Sequence, residues 1–299
     1  MLELKLLHHW TTSTCYTISM KPAFQMIWRN KVPAIGFTHY FVMNTMLALS
    51  ALHIAKFKPD QREYFTTQGV IFHQRALREV AHILPNVTPD NCAATYIFAI
   101  LTCVIATAKM RDGVDTMMSD HSGLSEWMFS FRGVRSILAS AQSMEVTGPI
   151  AAIFFAGIKK IQKRDETPVS RHLYLVELYQ FLEDQAPKDP EVAPIYVTAV
   201  DELNKTYTAI FDPLRSSFEP AEVFFWLFQI SDEFITLLAE KRTVPIIIFS
   251  YFLVLAKRME LNWWMEGWTS AVMSAIYSYI GHEYQPFLQW PIEQTGWVP

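Results

Sequence analysis

The chain has 299 residues, 51% of them hydrophobic and 14% aromatic, with only 10 glycines and 16 prolines. Twenty-five Lys and Arg against 29 Asp and Glu leave a formal charge of −4, which excludes the broad cationic surface that holds nucleic acid. Scarce glycine and long periodic apolar segments predict an all-α fold, a single compact multi-helix domain over 1–299, large enough to bury an apolar pocket.

The start, Met1-Leu2-Glu3-Leu4-Lys5, lacks a basic stretch followed by an apolar one and does not read as a secretory signal. Pro59-Asp60-Gln61 opens a helical pattern running to about Leu84, with Tyr64, Ile71, Leu77, Val80, Ala81 and Leu84 recurring near helical period. Thr88-Pro89-Asp90-Asn91 opens the next, through about Met110. Asp189-Pro190 begins a helix to about Phe211, and Asp212-Pro213 closes it. Pro220-Ala221-Glu222 starts a segment to about Arg242, and Thr243-Val244-Pro245 starts another. The run from Val223 to Leu238 is apolar nearly all round, which predicts one continuous buried helix with Ser231, Asp232 and Glu233 on a narrow solvent stripe or facing a cavity. Loops are expected at 111–122, 163–170 and 185–190. No alternating strand pattern and no fixed-period repeat is present. The most apolar stretches, Ala94 to Ala108 and Pro245 to Ala256, fall short of the roughly 18 residues of a membrane span, so no span is expected.

Cys15, Cys92 and Cys103 are sparse and odd in number, with no CxxC. They imply a reducing, cytoplasmic or nuclear compartment rather than a disulfide framework. The nine histidines include no HExxH or HxxxH, and the adjacent His8 and His9 point about 100° apart on a helix; no metal site is expected. Asp120-His121-Ser122 contains triad residue types, but neighbours in a loop cannot converge as a triad, and Gly123-Leu124-Ser125-Glu126 runs into Trp127 instead of completing GxSxG. Neither GxGxxG nor GxxxxGK occurs, so no cofactor is expected. Asn204, Thr208 and Asp212 share a helix face and resemble the second magnesium motif of terpene cyclases, but no aspartate-rich partner lies upstream. The densest unusual feature is aromatic: Trp263, Trp264 and Trp268, followed by Trp290 and Trp297. On a helix Trp264 and Trp268 share a face, and Gly267 between them would let a neighbour or ligand approach the backbone. Core packing and a wall for a rigid apolar ligand both fit such a cluster.

Several stretches together resemble one family. They are Leu4-Lys5-Leu6-Leu7-His8-His9-Trp10-Thr11-Thr12; Pro33 to His53 with Phe41 and Leu47-Ala48-Leu49-Ser50-Ala51-Leu52; the W-x5-G stretch from Trp127 to Gly133; and Ala256-Lys257-Arg258-Met259-Glu260 leading to Trp263-Trp264-Met265-Glu266-Gly267-Trp268, continued by Trp290-Pro291. In order and over almost the whole chain, they are similar to the C-terminal regulatory domain of fungal zinc-cluster transcription factors, and most of all to the sterol-uptake regulators. That resemblance implies an all-helical domain enclosing ergosterol in an apolar pocket, with Trp263, Trp264, Gly267 and Trp268 at the positions that border the pocket and control activation. The family's DNA-reading cluster takes six cysteines, which Cys15, Cys92 and Cys103 cannot supply. The expectation is therefore an excised regulatory domain or a stand-alone one, with no direct nucleic-acid binding by this chain.

The primary expectation is a ligand-sensing regulatory domain, linked to transcription control, that binds a sterol or a similar polyketide- or terpenoid-like molecule. Trp127, Arg132, Phe225, Phe228, Trp263, Trp264, Gly267 and Trp268 would form the site, with Arg132 and His8 or His9 orienting a hydroxyl. Arg132 serves equally well as a partner for a helix-terminal carbonyl or a carboxylate. The alternative is a cofactor-independent cyclase or isomerase of fungal secondary metabolism in the same pocket, with His8, His9, Glu126 or Glu266 moving a proton. A protein-interaction domain with a collapsed core ranks third. A homodimer is compatible with all three.

Overall fold

Proline and cap chemistry place most helix starts where the sequence puts them. The computed structural model describes residues 1–110, 123–141, 150–167, 170–215 and 218–299. Among these the secondary structure is helical and no strand occurs, as the all-α reading requires. The expected loop at 111–122 and the Asp120-His121-Ser122 motif lie outside the described residues. The chain divides into two units, one of Met1–Lys109 with Ser130–Lys159 and one of Met110–Phe129 with Lys160–Pro299.

The first unit contains α1 (Leu2–Thr12), α2 (Pro22–Gly36), α3 (Tyr40–Phe57), α4 (Arg62–Val80) and α5 (Pro89–Met110). Helix α3 is buried on nearly every side, from Phe41 and Val42 through Thr45 to Ala55, so helices must cover it all round. Helices α1, α2 and α4 do so. Gly69 lets α4 lie close to α3, because a Cβ there would come within 2.9 Å of Leu52 Cγ. The amino-terminal helix is tied down by two polar contacts: the Trp10 indole donates to Trp28 O at 3.0 Å, and His9 Nε2 lies 3.2 Å from His53 Nδ1. Helix α5 is longer than its apolar stretch suggested, and Pro89–Lys109 has the length and composition to cross a membrane. Most of it is buried, as in the core helix of a folded domain. Tyr96 on α5 meets Phe154 edge-on at 5.1 Å.

Helices α6 (Gly123–Ala141) and α7 (Ala151–Glu166) each contribute residues to both units. Lys163 to Glu166, expected in a loop, form the last turn of α7. The second unit continues with α8 (Val176–Gln185) and α9 (Ala193–Ile210). The expected helix from Val223 to Leu238 is instead three short ones: α10 (Pro220–Val223), α11 (Phe225–Gln229) and α12 (Asp232–Ala239). Ile230 turns extended and Ser231 caps α12, accepting from Phe234 N at 3.1 Å. The polar trio at 231–233 thus starts a helix rather than forming a stripe. Helix α13 (Thr243–Lys257) runs through the middle, buried at every position from Pro245 to Ala256, each large side chain contributing about 1.5–3 kcal/mol of apolar burial. Helices α9, α12, α14 (Trp268–Tyr279) and α15 (Gln289–Thr295) pack against it. Two buried donors fix the register: Tyr207 Oη donates to Tyr251 O at 2.7 Å and Trp226 Nε1 to Ala199 O at 2.8 Å.

Candidate functional site

The second unit gathers much of the aromatic set the sequence singled out. Trp127 on α6 is buried with its ring centroid 5.0 Å from that of Trp268. Phe249 and Phe252 of α13 flank it, each at 6.4 Å. Phe252 stacks on Trp226 at 5.0 Å and also meets Phe224, which lies 6.1 Å from Trp264. Offset and tilted contacts of this kind are the geometry aromatic rings favour, and each adds about 0.5–1.5 kcal/mol beyond burial. Three predicted site residues, Trp127, Trp264 and Trp268, therefore belong to one continuous aromatic cluster.

How they get there differs from the helical-face reading. Residues 258–267 form a succession of turns, and α14 begins only at Trp268. Trp264 and Trp268 are thus not one helical turn apart, although both join the cluster. Gly267 has φ +76°, a left-handed conformation that disfavours side chains, while a Cβ there would meet nothing within 4 Å. Its glycine answers a backbone requirement, not the close approach expected from the sequence. The turn is braced by Glu260, whose carboxylate accepts from Thr269 N at 3.0 Å and from the Thr269 hydroxyl, and which pairs with Lys257 at 2.7 Å.

One atom in the cluster stands out. Trp268 is fully buried, and its indole Nε1 meets no acceptor among the described residues. A buried donor without an acceptor costs about 1–3 kcal/mol, and the buried indoles of Trp10 and Trp226 both have one.

The other candidates are distributed more widely. Trp263 is buried in the same turn as Trp264. Phe228 pairs with Phe225, ring to ring, at 6.2 Å, and Phe225 lines a separate cleft among charged side chains. Arg132 lies in the first unit, half-buried on α6, five residues beyond Trp127 and so on another face of that helix. His8 is exposed. His9 and His53 form a pair closed by Thr14, whose hydroxyl is 3.0 Å from His53 Nδ1; burial and the neighbouring His9 push His53 down to about 4. Glu266 is exposed, and the side chain of Glu126 lies outside the described residues. No group of three or more His, Cys, Asp or Glu side chains placed to hold a metal occurs among the described residues. Asn204 is engaged with its own chain, accepting from His172 N at 2.7 Å and donating to Ser170 O at 3.0 Å.

No protein-family model matches the chain. Curated relatives do. The chain is 21% identical, over 98% of its length, to a Zn(2)-C6 fungal-type transcription factor of Gibberella zeae, of which the match covers 61%. Over 47% of its length it is 26% identical to sterol uptake control protein 2 of Saccharomyces cerevisiae, covering 15% of that protein. It is 29% identical to the protein of the same name in Candida albicans, over 47% of the chain and 19% of that protein. The chain thus spans less than two thirds of the length of each of these relatives.

Proposed function

From the premise that the chain is a homologue of Zn(2)-C6 fungal-type transcription factors and of sterol uptake control proteins, we propose that it is a regulatory, ligand-sensing helical domain for a sterol or a similar rigid apolar molecule bearing a hydroxyl. The observation that carries the reading is the Trp268 indole. It offers a buried hydrogen-bond donor with no acceptor among the described residues, on a ring packed against those of Trp127 and Phe249. A hydroxyl oxygen would satisfy that donor while fused rings lie against Trp127 and Phe249, the combination of an apolar wall and few polar groups that small-molecule sites use. Ligand occupancy would act on regulation only through a difference in affinity between two states of the domain. In that role the protein acts in the nucleus or reaches it from the cytoplasm, and its output passes through protein contacts rather than through DNA held by this chain.

The test is titration of the purified full chain with dehydroergosterol, a fluorescent sterol, read by energy transfer from tryptophan. Saturable one-to-one binding is expected, and Trp268→Phe, which keeps an aromatic side chain but deletes the N–H along with the five-membered ring, should weaken it at least roughly 3- to 10-fold, the worth of about one hydrogen bond. Absence of saturable binding, or equal affinity in wild type and Trp268→Phe, would overturn the reading.

A further inference from the structure

Away from the aromatic cluster, the second unit holds a half-open cleft of about 490 Å³, within the size range of small-molecule sites. Two helical stripes make it. Helix α7 presents Lys160, Lys163 and Arg164 at i, i+3 and i+4, which places them on one face. Helix α9 presents Lys205 across from them, and Arg215 comes from the segment after α9. Phe211 and Phe225 supply the aromatic part of the lining, and Arg258 lies over the Phe211 ring, its guanidinium 4.9 Å from the centroid.

The charges are unequal: five Lys and Arg line the cleft against two carboxylates, Asp212 and Glu222. Both carboxylates are already engaged. Glu222 is buried and accepts from Lys160, from Arg215 at 2.7 Å and from Glu219 N at 2.8 Å. Burial works to raise its pKa, but those three donors outweigh burial and hold the group below the usual carboxylate range. Asp212 accepts from Leu214 N at 2.9 Å. Arg164 and Lys205 share Glu202, with Asp165 a second partner for Arg164. That leaves Lys160 and Arg215 sharing one carboxylate, and Lys163 exposed with no carboxylate partner among the described residues. The result is a pocket lined both by donors to spare and by aromatic surface.

We propose that this cleft binds a small amphipathic organic anion, carboxylate- or phosphate-headed, its head held by Lys163, Lys160 and Arg215 and its apolar body against Phe211 and Phe225. The site is distinct from the Trp127–Trp268 cluster, which shares no lining residue with it. It gives the domain an input other than the sterol. An anion there would link α7 to the segment after α9, and its hold should weaken with salt because the cleft is open to solvent.

Isothermal titration calorimetry of the full chain at low ionic strength, with decanoate and decyl phosphate as probes, tests this. Decanol and decyltrimethylammonium carry the same tail with no charge and with the opposite charge. At least one of the two anions should bind one-to-one and weaken as sodium chloride is added, while decanol and the cation show no saturable heat; whichever anion binds more tightly identifies the head group. Lys163→Gln should weaken the anion roughly 3- to 10-fold, Lys163→Glu should abolish binding, and Lys163→Arg should keep it. Because Lys163 holds no carboxylate of the fold, these variants should retain the wild-type circular dichroism spectrum, and Trp268→Phe should leave anion binding unchanged. Decanol binding as tightly as decanoate, no binding by either anion, or a folded Lys163→Glu variant with wild-type affinity would each overturn the proposal.

Discussion

At Trp268 and Gly267, two neighbouring residues carry opposite kinds of penalty, and each can be measured. The Trp268 indole is a fully buried donor without an acceptor among the described residues, so Trp268→Phe relieves that penalty while its smaller ring leaves a cavity, and the ligand-free protein should be destabilised by only about 1–2 kcal/mol, less than the roughly 3–5 kcal/mol of truncating a satisfied buried tryptophan to alanine. Gly267 sits at φ +76° with open space around a built Cβ, so substitution there is opposed by backbone conformation alone. Gly267→Ala should destabilise by about 1 kcal/mol and Gly267→Asn by less, since asparagine tolerates the left-handed region. Urea unfolding at constant m-value checks the order. An alanine variant as stable as wild type, or an asparagine variant less stable than the alanine one, would show that something other than φ governs the position.

Among the elements, the three short helices between Pro220 and Ala239 test how capping overrides periodicity. Ser231 accepts from Phe234 N at the start of α12, and Ser231→Ala should cost about 1 kcal/mol by exposing that N–H without a partner. Unchanged urea stability would count against a cap at this position. The helix starts at Pro89, Pro220 and Thr243 were legible because proline and its preceding residue restrict the backbone locally. The break at Ile230–Ser231 was not read, although a Ser followed by Asp and Glu is a start signal, because the surrounding apolar residues fit a helix on every face and hid it. The same limit applies to the tryptophans. Their clustering was visible in the sequence, but Trp264 lies in a turn, and its link to Trp127 runs through Phe224 and Phe252 from two other elements. The charged cleft was less legible still. In the sequence Lys160, Lys163 and Arg164 form only a short basic run that ends at Asp165 and Glu166, and only folding brings Lys205 and Arg215, about 40 to 55 residues along the chain, to the same cleft.

For the molecule as a whole, the buried histidines set the response to acid. Burial, reinforced by a neighbour's charge, pushes both His53 and His73 down to about 4, the neighbour being His9 for His53 and Lys109 for His73. His9 is lowered as well, by burial first and then by Lys58, His8 and Lys5. A histidine free in the unfolded chain titrates near 6.5, so between about pH 6.5 and 4 the unfolded state binds more protons than the folded one. The stability these groups contribute is complete above about pH 6.5 and is lost progressively as pH falls toward 4. All three lie in the first unit, whereas the second holds His172, lowered by partial burial, so acid should loosen α3 and α4 before α13 loses its protection. Hydrogen exchange at pH 7 and 5, beside thermal melts over the same range, would show it. His73→Leu removes one titrating group and an Nε2 that meets no partner among the described residues. It should flatten the fall in stability below pH 6.5, by on the order of 3 kcal/mol at pH 4, and with it the fall in melting temperature. A melting temperature that holds steady down to pH 5, or a His73→Leu variant with the wild-type slope, would mean that these rings are protonated in the folded protein and that the helices around them already accommodate the charge.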